Sequence, residues 1–271
     1  MTQQGFFLNL LERLCRSNLY LFVFTRFLTG RFLTKYIYDV DFKVIKILDE
    51  NNYFDNLNNP IIDIGANDGM SYKTIRNFLK KNKIISFEPV NYNFKKLVKL
   101  KKKDKNFKIY KCGLSNKKSS NKKLFIPFFK KYAITQFAGI DKNGVIKRLE
   151  KSLYISNLLK KIKINFYKIK TKKIDDYKFC TPFIKIDIEG HEYECILGAK
   201  KTIKKYSPTI MVEYDRKICN KIFKLLKKMN YQKYFFDKKT NLVKIHKNQN
   251  VFNIFFINKY KLNYIKGSKN F

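Results

Sequence analysis

Residues 59–69, Asn-Pro-Ile-Ile-Asp-Ile-Gly-Ala-Asn-Asp-Gly, decide the fold. Ile61, Ile62 and Ile64 are β-branched, as a strand buried on both faces of a parallel sheet requires. Gly65 and Gly69 bracket a tight turn, and the amphipathic run 71–79 supplies the helix that follows. A strand, a glycine turn and a helix start place backbone N–H groups where a ligand can dock. Asp63, near the strand end, sets this turn apart from a phosphate cradle. A carboxylate there suits an ammonium or hydroxyl-bearing ligand better than a bare phosphate. Taken alone, the stretch also fits an ordinary βα turn.

Working outward, short apolar segments alternate with amphipathic ones, the signature of a parallel sheet with helices on both faces. Strands are expected at 61–64, 84–87, 107–111, 183–187 and 209–213, and helices at 71–80, 92–100, 192–204 and 216–229. Two further strands, 231–236 and 251–257, have no helix between them and read as an antiparallel hairpin closing the sheet edge. Between 115 and 181 the alternation lapses. Strands at 124–129 and 162–170 and a helical stretch within 144–160 make an insertion there, either a lid or substrate wall or extra edge strands. The tail after 266 is expected to fray.

Residues 1–50 form a separate compositional zone, an N-terminal helical extension ahead of a domain at 51–271. The apolar, aromatic run 19–28 is broken by Arg26 and flanked by Arg13, Arg16 and Arg31. It is too short and too charged to span a bilayer, and it lacks the small-residue cleavage site of a signal peptide. Two amphipathic helices packed on the domain are expected. The sharper alternative is peripheral membrane contact through residues 1–35, an interfacial helix with basic flanks.

With 59 Lys and Arg against 21 Asp and Glu, the 271-residue chain has a formal charge of +38, which ordinarily points to nucleic acid or anionic membrane. The charge is discounted, because Lys, Asn, Ile, Phe and Tyr, the residues of A/T-rich codons, saturate the whole sequence and the lysines are scattered. No base-amine methylation motif and no RNA-binding module is present, so nucleic acid is not an expected partner. The five cysteines (Cys15, Cys112, Cys180, Cys195, Cys219) have no CxxC spacing and only two His accompany them. That argues against zinc and against a disulfide framework, and for core thiols in a reducing cytoplasm. A GxGxxG turn for a nicotinamide dinucleotide is absent.

Three features fall at the carboxyl ends of successive strands, where open α/β sheets bind ligands. The first is the 63–69 turn. The second is Glu88, a little over twenty residues past the start of the turn, where a carboxylate accepts hydrogen bonds from ribose hydroxyls; Pro89 fixes the turn behind it. The third is Lys111-Cys-Gly-Leu-Ser115, where the small Gly113 lets an adenine ring slide against the backbone. A fourth feature is the most distinctive: Phe183-Ile-Lys-Ile-Asp-Ile-Glu-Gly-His-Glu192. Period-2 alternation puts Lys185, Asp187 and Glu189 on one side of the strand. Three charges there are costly to bury unpaired, so they are expected to converge on a polar site at the strand end, or else to form a buried salt bridge.

Asp63-Ile-Gly-Ala-Asn-Asp-Gly69, Phe87-Glu-Pro89, Lys173-Ile-Asp-Asp176, Lys185-Ile-Asp-Ile-Glu-Gly190 and Pro208-Thr-Ile-Met-Val-Glu213 resemble, in this order, the motifs of the FkbM-type methyltransferases. The resemblance covers about residues 60–213. Asn67 departs from methyltransferases more broadly, which often carry glycine there. The resemblance implies the class I methyltransferase fold: a Rossmann-like, mostly parallel seven-stranded sheet with a terminal antiparallel hairpin. It implies S-adenosyl-L-methionine as cofactor and O-methylation of a hydroxyl on a sugar, glycan or related small metabolite. Asp63 and the backbone of Gly65, Ala66, Asn67 and Gly69 would hold the methionine portion, Glu88 and Pro89 the ribose, and Gly113 and Leu114 the adenine. Asp187 would stand beside the donor, and Asp187, Glu189 and His191 are candidate bases, with Glu213 behind them and Lys185 tuning the carboxylates or contacting an anionic acceptor. His191 is equally readable as a helix-start residue. Mg²⁺ is not predicted, although Asp187, Glu189 and Glu213 are the oxygen donors a hard cation takes.

Overall fold

The structure is a computed structural model and describes residues 40–152, 160–237, 240, 242–247 and 251–265. The expected N-terminal amphipathic helices, Cys15, the membrane contact through 1–35 and the fraying tail lie outside those residues. The chain divides into two compact units. The larger takes residues 38–122 and 169–271, and the smaller, as far as it is described, takes 123–152 and 160–168.

In the larger unit α1 (Lys43–Glu50) comes first, and β1 (Ile61–Ile64), α2 (Met70–Phe78), β2 (Ile84–Phe87), α3 (Asn91–Lys101) and β3 (Phe107–Tyr110) then alternate as expected. After the insertion come β8 (Phe183–Ile186), α5 (Glu192–Leu197), α6 (Lys200–Tyr206), β9 (Thr209–Glu213) and α7 (Arg216–Lys227). β10 (Tyr231–Asp237), β11 (Leu242–Ile245) and β12 (Asn253–Asn258) close the chain. The sheet order is β11-β10-β12-β9-β8-β1-β2-β3. Its strands run parallel from β3 to β9, and β12, β10 and β11 are added antiparallel. Among the described residues the sheet therefore has eight strands where seven were expected. The eighth, β11, pairs along the outer edge of β10, and its short Leu-Val-Lys-Ile run is too brief to stand out in sequence.

Every residue of β1, β2 and β8 is buried, which is why these tetrads are so rich in isoleucine. Alternation splits them between two cores. Ile62, Ile64, Ile184 and Ile186 pack with Cys195 and Ile196 of α5, Ile203 of α6 and Ile222 and Leu226 of α7. On the other face Ile61, Ile84, Phe107 and Phe183 pack with Val44, Ile45 and Leu48 of α1, Ile75 of α2 and Leu97 of α3. Burying side chains of this size stabilises the fold by about 1.5–3 kcal/mol each. β1 is thus flanked by β2 on one side and β8 on the other, the switch point at which open α/β sheets carry their ligand crevice.

The helix expected over 192–204 is broken in two. Asp175 explains the break: its carboxylate accepts from Lys201 N and from Thr202 N and Oγ1, capping α6, while Asp175 N donates to Gly198 O. Asp175 and Asp176 lie in a short 3₁₀ turn. Of the cysteines, Cys112, Cys195 and Cys219 are buried thiols, but Cys180 is exposed, a correction to its expected place in the core.

The insertion contributes β4 (Gly113–Leu114), β5 (Ser119–Phe129), β6 (Tyr132–Ala133), α4 (Lys142–Ser152) and β7 (Ile162–Lys172). β4 pairs parallel to β7 at Thr171 and Lys172, within the larger unit. In the smaller unit β6 pairs antiparallel to the end of β5, and Val145 and Leu149 of α4 pack on Phe129 and Ile134.

Candidate active site

A polar row crosses the sheet at the switch point. Ser86 on β2, Asp63 on β1 and Lys185 on β8 are direct partners in register. Asp63 is fully buried; its Oδ2 accepts from Ser71 Oγ at 2.8 Å and Ser86 Oγ at 3.0 Å, and its Oδ1 lies 3.5 Å from Lys185 Nζ. Lys185 Nζ also stands 3.2 Å from Asp187 Oδ2 and donates to Gly65 O at 3.3 Å. Burial alone would discharge this ammonium; attraction by Asp187 and then Asp63 outweighs it and holds the group above the usual lysine range. The buried salt bridge and the polar site, posed as alternatives, are both present. Asp63 exposes no surface, which does not fit its expected direct contact with the methionine portion; the cation it pairs with is Lys185.

The turn after β1 also differs from expectation. Gly65 N and Ala66 N donate to Phe87 O, Asn67 N donates to Glu88 Oε2, and Gly69 N donates to Ala66 O. These N–H groups are spent on holding the turn against β2, so they do not form the docking cradle that the glycines suggested. Gly65 has φ +77°, and a Cβ there would lie 1.9 Å from Asp187 O; at Gly69, with φ +91°, one would lie 2.5 Å from Leu100 Cδ1. The glycines let β1 approach β8 and α3 rather than a ligand. Asn67, in the departing position, has φ +48°, a left-handed conformation that asparagine tolerates.

Glu88 closes β2, with Pro89 directly after it, and is 4% exposed. Oε1 accepts Val90 N at 2.8 Å and Oε2 accepts Asn67 N at 2.9 Å. Burial pushes its carboxyl up to about 7, against the lowering effect of those two N–H groups. Asn93, in the first turn of α3, hydrogen-bonds to Glu88, and its buried Oδ1 has no partner. Sequence reasoning missed Asn93. Nothing local marks it, and its relevance comes from the turn that returns α3 to β2. Gly113 and Leu114 are placed differently: a Cβ on Gly113 would face Ile169 Cδ1 at 3.3 Å, and Leu114 is in the core. Backbone is all that these two can offer an adenine.

β8 ends at Ile186, so the period-2 expectation holds for Lys185 and Asp187 but not for Glu189, which sits in the following turn at φ +57°. Glu192, also missed, fastens that turn: Oε1 accepts Ile188 N and Gly190 N. One carboxylate oxygen each of Asp187, Glu189 and Glu213 lies within 4.8 Å of the others, a spacing that accommodates a divalent cation. His191 is the residue before α5 and makes no side-chain cap; instead its Nε2 shares a 2.9 Å hydrogen bond with Ser115 Oγ. Burial, aided by the Lys122 cation, lowers the imidazole to about 4, so the ring is uncharged at neutral pH. Ser115 was read only as the end of a motif; its partnership across 76 residues leaves no sequence signal.

The methyltransferase FkbM domain family matches residues 63–233, from the β1 carboxylate into β10. The chain belongs to that family. Its sheet, parallel with an antiparallel end, is the Rossmann-like α/β fold of class I methyltransferases. No protein of curated function matches this FkbM-family chain in sequence. Among solved structures it resembles the FkbM methyltransferase of Methylobacillus flagellatus KT at 14% identity and TM-score 0.47, over 74% of this chain and 44% of that one. It thus spans less than half of that protein's length. An O-methyltransferase described as S-adenosylmethionine-dependent, from Thermotoga maritima, is similar at 8% identity and TM-score 0.37, over 82% and 72% of the two chains. An rRNA methylase from Streptococcus thermophilus is similar at 8% and 0.36, over 78% and 94%. Likenesses this distant say nothing of substrate.

Proposed function

We propose that this FkbM-family chain transfers the methyl group of S-adenosyl-L-methionine to a hydroxyl on a sugar, glycan or related small metabolite. The observation that carries the reading is Glu88, clasped to Asn67 N at the switch point with the partnerless Asn93 Oδ1 beside it. Each Glu88 oxygen accepts one backbone N–H, which leaves lone pairs for the hydroxyls of a ribose. The free lone pairs of Glu88 and the donorless Asn93 Oδ1 fit a ligand that brings hydroxyl and amino hydrogens. The donor set therefore suits the adenosine half of this cofactor.

When bound, the cofactor supplies an electrophilic methyl on a sulfonium. The chain's own residues have three tasks. Glu88 and Asn93 hold and orient the donor. The Lys185 clamp fixes the β1 and β8 ends on either side of the crevice, so that acceptor and donor meet in line. An alcohol must also lose a proton, and our candidate acceptors are the uncharged His191, hydrogen-bonded to Ser115, and Asp187 and Glu189 on the preceding turn. The expected partner is a small-molecule or glycan acceptor in the cytoplasm; membrane contact through residues 1–35 is the alternative to packing of that segment on the domain. Among the described residues no helix is long and apolar enough to cross a membrane.

Calorimetric titration with S-adenosyl-L-methionine tests the reading. Wild type should bind, and Glu88→Ala should weaken binding at least tenfold while Asn93→Asp changes it less. Absence of binding by the wild type, or equal binding by Glu88→Ala, overturns it.

A further inference from the structure

Two adjacent aromatic side chains of the β7 strand stand in solvent. On β7, Phe166 is 51% exposed and its neighbour Tyr167 is 46% exposed. Adjacent strand residues point to opposite faces, so the ribbon formed by β7 and its neighbour β5 carries a bare ring on each side. Each ring meets an aromatic of β5: Phe166 lies 6.3 Å from Phe125 and Tyr167 lies 6.2 Å from Phe128, centroid to centroid. These pairs set the rings but do not cover them. Lysines share the ribbon with them. Lys123 Nζ is 4.9 Å from the Phe166 ring centre, and Lys163 and Lys168 are exposed on the same strand. Between 123 and 168 there are eleven Lys and Arg against two acidic residues, a bias steeper than that of the whole chain.

We infer that the β5–β7 ribbon is a docking surface for an anionic phospholipid bilayer. Aromatic rings ringed by lysines are the chemistry of the membrane interface. The rings enter the boundary between headgroup and acyl chain, while long lysine stems let the ammonium groups stay with the lipid phosphates. A single-stranded nucleic acid offers the same charge but fits the arrangement poorly. A stacking platform needs its rings open on one face of the sheet. Here the two rings lie on opposite faces, and the Lys123 ammonium already sits over one of them. A bilayer accepts both sides of a ribbon at once. The inference does not depend on the methyl donor or the acceptor.

Flotation of the full chain with vesicles tests it, using phosphatidylcholine alone and phosphatidylcholine with phosphatidylglycerol in equal parts. The wild type should float with the anionic vesicles and much less with the neutral ones. Phe166→Ser/Tyr167→Ser should lower the partition coefficient by about thirtyfold or more, since two rings leave the interface. Lys123→Glu/Lys168→Glu should lower it by about tenfold, an effect that added salt diminishes. Unchanged urea midpoints establish that both variants fold, and residues 1–35 are present in all of them. Flotation of the ring variant equal to wild type overturns the inference. So does retention of single-stranded RNA by wild type without vesicle binding.

Discussion

Ser115 Oγ and His191 Nε2 share a 2.9 Å hydrogen bond that ties the residue after β4 to the residue before α5. The bond fixes an imidazole whose burial, helped by the Lys122 cation, keeps it uncharged to about pH 4. A nitrogen-detected NMR titration should show His191 titrating near 4, well below an ordinary histidine. Lys122→Ala should move the midpoint upward by removing the repelling charge, yet leave it below 6.5 because desolvation is the larger cause. A His191 midpoint near 6.5 in the wild type would rule out a proton acceptor held neutral in this way.

Lys185 is the only cation that the described contacts place on Asp63, so its loss strands a fully buried carboxylate. Lys185→Met should cost about 3–5 kcal/mol in urea unfolding, the penalty of an uncompensated buried charge. Asp63→Asn added to it should recover a large part, because the neutral amide no longer needs the ammonium. If the double variant is no more stable than the single, the clamp is not the source of the loss.

How much of this was legible follows from distance along the chain. β1 and β2 announce themselves by consecutive β-branched residues, and Glu88 and Lys185 by their places at strand ends. The turn misled because glycine marks a positive φ whether the room serves a ligand or, as at Gly65, the backbone of Asp187. Ser115, Asn93 and Asp175 were silent because their partners come from other elements: the histidine before α5, the carboxylate after β2 and the first turn of α6. The helix break at Gly198 was hidden likewise, since helical periodicity continues through it while the reason for the break lies at Ser115 and Asp175.

The buried Glu88 and the half-buried His191 should bend the stability–pH curve in opposite directions. Glu88 is raised from 4.5 to about 7, so the folded chain binds more protons than the unfolded one in that window, and stability falls as pH rises through it. His191 is lowered from 6.5 to about 4, so the unfolded chain binds more protons there, and stability rises as pH climbs from 4 to 6.5. Each slope is at most about 1.4 kcal/mol per pH unit, and they offset one another between 4.5 and 6.5. His191→Gln removes the rising slope alone. Relative to wild type, its urea-unfolding free energy should fall progressively as pH increases from 4 to 6.5 and then run parallel. A constant difference across that range would exclude His191 as a neutral buried group.

The last prediction separates space from strain. Gly198 has φ −78°, which alanine adopts freely, yet a Cβ there would lie 2.1 Å from Ser115 O. Gly65 has φ +77°, and its Cβ would lie 1.9 Å from Asp187 O, so steric overlap and backbone strain act together. Gly113 meets only the flexible tip of Ile169 at 3.3 Å. Alanine at 113 should therefore shift urea stability by less than about 1 kcal/mol, at 198 by about 2–3, and at 65 by more than at 198. Because Gly198→Ala must push the 115–116 backbone away from α5, it should also loosen the Ser115–His191 bond and move the His191 NMR midpoint, which Gly113→Ala should not. Equal stabilities and equal midpoints for the 198 and 113 variants would mean that α5 is free to retreat from Ser115, and that its close approach there does not set the imidazole.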